Sequence, residues 1–70
     1  METNLAMPKI ITIENVGEET ASFRYFRVNF AVRLEPGDSV ILTAGSSEEA
    51  AYYLALADEK VGLAVTAENA

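Results

Sequence analysis

The longest alternation of hydrophobic and polar positions lies in residues 23–34, FRYFRVNFAVRL. From Phe26 onward, every second side chain is apolar and large, and the residues between are polar or small. Alternation of aromatic and β-branched residues with period two is typical of a half-buried strand. We therefore expect one long strand at the centre of a sheet, with Phe26, Phe30 and Val32 in the core.

The length and the parity of this segment predict a bend. Its twelve residues would extend roughly 40 Å at about 3.3 Å each, whereas a domain of this size is only about 28 Å across. Phe23 and Tyr25 are apolar at odd positions, whereas the run from Phe26 is apolar at even ones. A β-bulge near Tyr25 and Phe26, or a strand shared by two sheets, would explain the switch. Alternatively, Phe23 and Tyr25 contact a neighbouring subunit.

The segment before the long strand predicts a hairpin. Residues 9–16 (KIITIENV) place Ile11 and Ile13 on one face of a first strand. The turn GEET at 17–20 follows, and an antiparallel hairpin with the next strand is the simplest arrangement.

Residues 34–38 (LEPGD) carry the clearest turn signal. Proline followed by glycine suits the two central positions of a type II turn, where the glycine takes a positive φ. This predicts a third strand at 38–44, antiparallel to the long strand, with Val40 and Leu42 inward and Ile41 on the other face.

A helix is predicted from about Ser47 to Asp58. Ser46 and Glu49 have the spacing of a capping box, and acidic residues suit the positive end of the helix dipole. Apolar residues at helical spacing form the expected buried stripe, with Tyr52 and Leu56 at its border. The stripe comprises Ala50, Tyr53, Leu54 and Ala57.

The predicted order is β-β-β-α-β, with a last strand at 61–67 and Leu63 and Val65 inward. It indicates a small α+β domain, mainly β, over residues 9–67. About four strands form either one bent antiparallel sheet covered by the helix or a small sandwich with the helix at its edge; we favour the bent sheet. We expect residues 1–8 to be a flexible arm and residues 68–70 to be a frayed end.

The composition favours association with other proteins. A core from 70 residues rarely supplies more than about 3–5 kcal/mol, and small domains usually add disulfides, a metal or oligomerisation. The chain has no cysteine and no histidine, which excludes disulfides and the common soft metal sites. We therefore expect no cofactor or metal, and contacts with copies of the chain or with a larger structural protein.

The charge and the hydropathy argue against nucleic acids and membranes as partners. A net charge of −6 argues against broad binding to nucleic acids or anionic membranes. No apolar run approaches the ~20 residues of a membrane span, and the N-terminus lacks the pattern of a signal peptide. We expect synthesis in the cytoplasm.

The basic residues suggest a contact surface. Arg24, Arg27 and Arg33 hold three of the five basic charges, and Arg27 and Arg33 would share the outward face of the long strand. One interpretation is a solvated face whose arginine stems cover apolar surface. The other is a face that binds acidic surfaces, such as the glutamate pairs at 18–19 and 48–49 of other copies.

Aromatic residues interleave with these arginines. The pattern is similar to a stacking platform for single-stranded nucleic acid, but the negative net charge favours packing at a sheet end. On the helix, Tyr53 is expected in the core, and Tyr52 is a candidate interface anchor. The interface candidates are therefore Phe23, Arg24, Tyr25, Arg27, Arg33 and Tyr52.

Catalysis is not expected. The paired carboxylates at 48–49 and 58–59 are explained by helix capping and by a solvated helix end. No combination of nucleophile and base, phosphate loop or calcium loop is present in the sequence. We expect no catalytic residue and no small-molecule substrate.

The chain resembles small virion proteins of tailed bacteriophages and prophages, such as head-decoration or head–tail joining proteins. The resemblance covers residues 9–67 and rests on a short acidic chain without Cys, His or Trp, the arm, the long strand and the segment LEPGDSVIL at 34–42. It implies a structural subunit in many copies that binds a capsid or tail surface, where residues 1–8 become ordered. The alternatives are a small adaptor or regulator bound through its sheet edge or helix, and a binder of single-stranded nucleic acid.

Overall fold

The computed structural model describes residues 8–69, which form a small, mainly β, α+β domain as the sequence predicts. Within that range are five strands and one helix in the order β-β-β-β-α-β. Strands β4, β1 and β5 form an antiparallel sheet in that order, and β2 and β3 form a second one. The elements are β1 Lys9–Asn15, β2 Ala21–Arg24, β3 Ala31–Leu34, β4 Ser39–Ala44, α1 Ser47–Glu59 and β5 Leu63–Asn69. The arm predicted at residues 1–8 lies, except for Pro8, outside the described residues.

Strand β1 is the centre of the larger sheet. It pairs with β4 and β5, so that Ile13 lies opposite both Val40 and Val65. Ile11 and Ile13 are completely buried, as their shared face predicts. The predicted hairpin between β1 and the next strand is wrong, because the chain leaves the sheet after Asn15 and β2 belongs to the other sheet.

The predicted long strand is two strands joined by a turn. Residues 25–30 reverse the chain: the Val28 N–H donates to the Tyr25 carbonyl at 3.1 Å, and Arg27 has a φ of 58°. Phe23 in β2 then lies opposite Val32 in β3. The change of parity near Tyr25 therefore marks a chain reversal rather than a bulge.

This reversal changes which side chains are buried. Phe23 and Leu34 are in the core, at 2% and 5% exposure. Phe26 and Val32 are only partly buried, and Phe30 is 59% exposed. The predicted inward position of Val32 is confirmed, since it packs partly buried against the core from β3. Phe26 also packs against the core, but from the turn, and the prediction that Phe30 is buried is wrong because Phe30 belongs to the turn and not to a strand face.

The LEPGD turn forms as predicted, but it joins the two sheets. The Asp38 N–H donates to the Glu35 carbonyl at 2.9 Å, and Gly37 has a φ of 90°. Strand β4 then pairs with β1 and not with β3, which corrects the predicted pairing. Val40 and Leu42 are partly buried and Ile41 is exposed, as predicted.

The helix begins as predicted. The Ser46 hydroxyl oxygen accepts a hydrogen bond from the Glu49 N–H at 3.1 Å, and the Glu49 carboxylate accepts one from the Gly45 N–H at 3.0 Å. The buried stripe differs from the prediction. It consists of Ala50, Tyr53 and Leu56, whereas Leu54 and Ala57 are exposed, because α1 packs mainly against β5 and its buried face is narrow.

Strand β5 begins and ends later than predicted. Val61 is 99% exposed and precedes the strand, whereas Glu68 and Asn69, expected in a frayed end, pair with β1. The Lys9 ammonium donates to the Asn69 side chain at 2.8 Å and adds a contact at this end. Leu63 is buried and Val65 is partly buried, as predicted.

All six elements contribute to one core. Helix α1 packs on the larger sheet, and Phe23 of the hairpin contacts Tyr53 of α1, so that the two sheets and the helix share one group of buried apolar side chains. The buried apolar residues are Ile11, Ile13, Phe23, Leu34, Ala44, Ala50, Tyr53, Leu56 and Leu63.

Asn15 joins the two sheets at the end of β1. It is the one buried polar side chain among residues 8–69. Its amide nitrogen donates to the carbonyls of Glu19 and Leu34 at 2.8 and 2.9 Å, and its amide oxygen accepts from the Gly17 N–H at 2.9 Å. Its own backbone exchanges hydrogen bonds with Gly37 and Asp38, at 2.9 Å each. One residue thus holds the start of β2 and the end of β3, at the open end of the hairpin, against the larger sheet.

Two glycines lie against each other beside Asn15. A Cβ atom on Gly17 would lie 3.1 Å from the Cα atom of Gly62, and Gly62 has a φ of 92°. The neighbouring Val16 N–H donates to the Gly62 carbonyl at 2.8 Å. This close approach brings the start of β5 next to the segment that leads into the hairpin.

We expect replacement of Asn15 by alanine to lower the free energy of unfolding by about 2–3 kcal/mol, because it leaves several buried backbone groups without partners. The control is Asn29→Ala in the exposed turn, which should change it by less than about 0.5 kcal/mol. Urea denaturation followed by circular dichroism measures both. Equal midpoints for the two variants would show that Asn15 does not hold the sheets together.

Candidate functional site

The six aromatic side chains of this protein gather at one end of the domain. Phe23 makes edge contacts with Tyr25 and Tyr53, with ring centroids 5.8 and 6.4 Å apart, and the Tyr25 and Phe30 rings stack at 6.1 Å. Tyr52 contacts both Phe26 and Tyr53, at 5.4 and 5.1 Å. The cluster extends from the core to the turn at residues 25–30, which we call the hairpin tip.

Two tyrosine hydroxyls of α1 attach the hairpin tip to the helix. The Tyr53 hydroxyl oxygen accepts a hydrogen bond from the Phe26 N–H at 2.9 Å. The Tyr52 hydroxyl donates to the Arg24 carbonyl at 2.8 Å. Adjacent helical residues point about 100° apart, so the two tyrosines reach different backbone groups of the hairpin. The tip is therefore fixed in position and does not depend on its own short turn alone.

Burial raises the pKa of the Tyr53 phenol above its ordinary value. The hydrogen bond from the Phe26 N–H opposes this shift, and the nearby Glu49 carboxylate adds to it. The neutral phenol is thus the form that the folded protein favours.

Arg27 is held in an uncommon conformation at the tip. Its positive φ of 58° costs roughly 1–2 kcal/mol for a residue with a Cβ atom. Its guanidinium lies 5.0 Å from the centroid of the Phe26 ring and 3.2 Å from both carboxylate oxygens of Glu48. Such an exposed ion pair contributes little stability, so its main effect is to orient the Arg27 side chain.

The other two arginines lie on the outward face of the hairpin. Arg24 is opposite Ala31, and Arg33 is opposite Ser22. The prediction that Arg27 and Arg33 share a face is therefore wrong, because Arg27 is in the turn. Arg33 lies 3.7 Å from Glu35, at the end of the hairpin away from the tip. Arg24 makes no ion pair with any residue in the described range 8–69.

A shallow depression of about 340 Å³ lies beside the tip. It continues along the hairpin and α1 into a second depression of about 360 Å³ that shares Arg24 and Tyr52 with it. Val28 is 50% exposed and Phe30 59% exposed at the same end. We call the following side chains at this end of the domain the tip surface: Arg24, Arg27, Val28, Phe30 and Tyr52.

The structure brings four of the six interface candidates together at this end, namely Arg24, Tyr25, Arg27 and Tyr52. Phe23 lies beneath them and is buried in its own chain, so its side chain is not accessible to a partner. Val28 and Phe30 belong to the surface although the sequence analysis placed Phe30 in the core. In the sequence, apolar residues switch from odd to even positions at Tyr25. Interpreted as a turn, this switch indicates that Val28 and Phe30 are exposed.

The tip surface contains two chemical kinds of side chain. It combines apolar and aromatic side chains with two guanidinium groups. Among the side chains of residues 8–69, no group of three or more metal-ligating residues is placed to hold an ion. These side chains can contact an apolar surface and bind carboxylates or phosphates.

No protein-family model, no curated protein and no solved structure significantly matches this chain. In the described residues, no helix has the length and hydrophobicity needed to cross a bilayer.

We expect Tyr53→Phe to destabilise the domain by about 1 kcal/mol at neutral pH, because the Phe26 N–H loses its acceptor. The folded-state pKa of Tyr53 is raised, so the stability that it contributes is complete below pH about 10 and is lost as the pH rises through the folded pKa. Urea denaturation at pH about 8 and about 11 should therefore show a smaller alkaline loss in the variant than in the wild type. An identical alkaline loss in both proteins would contradict this role for Tyr53.

Proposed function

We propose that this protein is a non-enzymatic structural subunit of a larger assembly and that it acts through protein–protein contacts at the tip surface. The observation that supports this most directly is the exposure of two large apolar side chains in one turn: Val28, which lines a depression with Arg24 and Arg27, and Phe30. Turns are usually built from Gly, Pro, Asn, Asp and Ser. Large apolar side chains in an exposed turn are typical of a site that another surface covers.

The residue types of the tip surface also support protein binding. Aromatic residues and arginine are enriched in the centres of protein interfaces. Tyr52 and Tyr53 already hold the tip through hydrogen bonds at 2.8 and 2.9 Å. A surface that is fixed before binding loses less conformational entropy when a partner docks, which suits a subunit that contributes a rigid contact.

A more specific form of this proposal is a multi-copy virion component, such as a capsid-decoration or minor head or tail protein. Its support is the likeness in length, acidic charge and the LEPGDSVIL segment. The tip surface would then bind a capsid or tail surface. The alternative is a small cytoplasmic adaptor or regulator, which would use the same surface to bind one partner protein and would not be a repeated subunit of a particle.

We expect the double variant Val28→Ser with Phe30→Ser to leave the assembly in which the wild type resides. In density gradients of lysates from cells that produce the protein natively, the wild type should sediment with particles far larger than its own 7.6 kDa. The variant should be depleted from those fractions by at least about tenfold, a change of roughly 1.4 kcal/mol in binding. Immunoblotting of the fractions measures this.

The matched control is Ile41→Ser, which removes an apolar side chain that is 68% exposed on the outer face of the larger sheet, the face away from the core. Its distribution in the gradient should equal that of the wild type. A wild type that remains at the top of the gradient, or a tip variant that stays with the particles, would contradict the proposal. Circular dichroism confirms that each variant is folded.

One observation favours a second candidate, binding of single-stranded nucleic acid. The exposed Phe30 ring stacks on Tyr25, which lines the depression together with Arg24 and Arg27, and base stacking on aromatic rings beside cations is how such proteins bind. Against it stand the net charge of −6 and the pairing of Arg27 with Glu48.

The second candidate predicts a salt-dependent shift of a labelled single-stranded oligonucleotide in a gel at low ionic strength. The shift should be lost in the double variant Arg24→Ala with Arg27→Ala and retained in Arg33→Ala. The absence of any shift at low salt with the wild type would remove this candidate.

A further inference from the structure

The domain has two chemically different ends. Helix α1 begins beside the hairpin tip, where Glu48 contacts Arg27, and it ends just before Gly62, which touches Gly17. Gly17 leads into β2, so it lies at the end of the hairpin opposite the tip. We call this opposite end the base.

The base carries a groove of about 380 Å³. Gly17 and Gly62 both line it and lie in close contact with each other, which brings the loop before β2 next to the start of β5. The residues that line this base groove are Gly17, Glu18, Glu19, Thr20, Val61 and Gly62. Val61 is 99% exposed, and the neighbouring Val16 is 61% exposed.

The base groove is acidic. Glu18 and Glu19 are exposed and make no ion pair with any residue from 8 to 69. The nearby C-terminus of α1 adds the negative end of the helix dipole, and Asp58 and Glu59 are in its last turn. The groove therefore suits a partner that combines apolar side chains with positive charge.

We propose that copies of this chain associate head to tail, with the tip surface of one copy bound in the base groove of the next. This inference rests on the proposed function and names the partner as a second copy of the chain. Arg24 of the tip would face the carboxylates of Glu18 and Glu19, and Arg27 would add a second contact by exchanging its partner Glu48 for one of them. Val28 and Phe30 would cover the exposed Val16 and Val61.

Charge complementarity distinguishes this contact from other ways of pairing two copies. Each copy carries a net charge of −6, so most pairings of two identical surfaces bring like charges together. The tip surface holds two of the five basic residues of the chain, of which Arg27 pairs with Glu48. The base groove holds two carboxylates that make no ion pair within residues 8–69. A contact between these unlike surfaces is attractive, and it should weaken as the salt concentration rises.

The symmetry of the assembly follows from the use of two different surfaces. A heterologous contact leaves a free tip and a free base on every pair, so addition continues until a ring closes or a filament forms. A contact of a few side chains on each copy belongs among interfaces that bury less than about 1,200 Å², which are usually weak. Assembly should therefore depend on protein concentration.

Sedimentation velocity tests the proposal with three double variants of exposed residues. The tip variant is Val28→Ser with Phe30→Ser, and the base variant is Val16→Ser with Val61→Ser. The matched control is Ile41→Ser with Leu54→Ser, which removes two exposed apolar side chains from other surfaces. Circular dichroism verifies that all three are folded.

We expect the wild type and the control to form species larger than dimers as the concentration rises from about 1 µM to 1 mM. The tip variant and the base variant should each stay monomeric. Their equimolar mixture should form dimers and nothing larger, because the intact base of one then binds the intact tip of the other. Only a contact between two different surfaces gives this result.

Three results with the wild type, the base variant and the mixture would overturn the head-to-tail contact. They are a monomeric wild type over the whole concentration range, a base variant that assembles like the wild type, and a mixture that stays monomeric although the wild type assembles. A loss of assembly in the control would also overturn it and would point to pairing along the exposed edge of β4. None of these contradicts the proposed function as long as the tip variant is depleted from the native particles and Ile41→Ser is not.

Discussion

The buried side-chain amide of Asn15 is the interaction on which the arrangement of the two sheets depends. No strand ladder joins the β2–β3 hairpin to the three-stranded sheet. An amide buried without partners would cost several kcal/mol, but here its nitrogen and its oxygen are both bonded to backbone groups. Strand β1 does not pair with either strand of the hairpin. The Asn15 side chain at the end of β1 makes hydrogen bonds to the hairpin instead.

Several elements were predictable because their information is local. The LEPGD turn follows from one proline and one glycine, and the start of α1 follows from the spacing of Ser46 and Glu49. Ile11 and Ile13 are buried because alternation along a short strand is sufficient to place them. In each case, a few neighbouring residues carry the whole physical reason.

The hairpin could not be predicted in the same way. Its turn contains no glycine or proline, and Arg27 takes the left-handed conformation that glycine usually provides. Alternation continues through the turn, so the pattern from Phe26 to Val32 is that of a strand although the chain reverses there. The turn is stabilised by the Tyr53 hydroxyl on the helix, which is distant in the sequence, so the local pattern of residues does not reveal it.

The candidate site was predictable in its composition but not in its geometry. The mixture of aromatic residues and arginines in the sequence indicated a surface of this kind, but the reversal at Tyr25 decides that Phe30 is exposed and that Phe23 is buried. The role of Asn15 was not predicted, although Asn15 directly precedes Val16 and Gly17. Its side-chain amide oxygen accepts a hydrogen bond from the Gly17 N–H, two residues further along the chain. This is the local hydrogen bond that asparagine commonly forms in turns.

The concentration of every aromatic ring at one end has a spectroscopic consequence. The chain has no tryptophan, so its near-ultraviolet absorbance and its intrinsic fluorescence come mainly from Tyr25, Tyr52 and Tyr53. All three lie around the hairpin tip. Optical signals from this protein thus report on the hairpin tip and α1, whereas the base and the outer face of the larger sheet are optically silent.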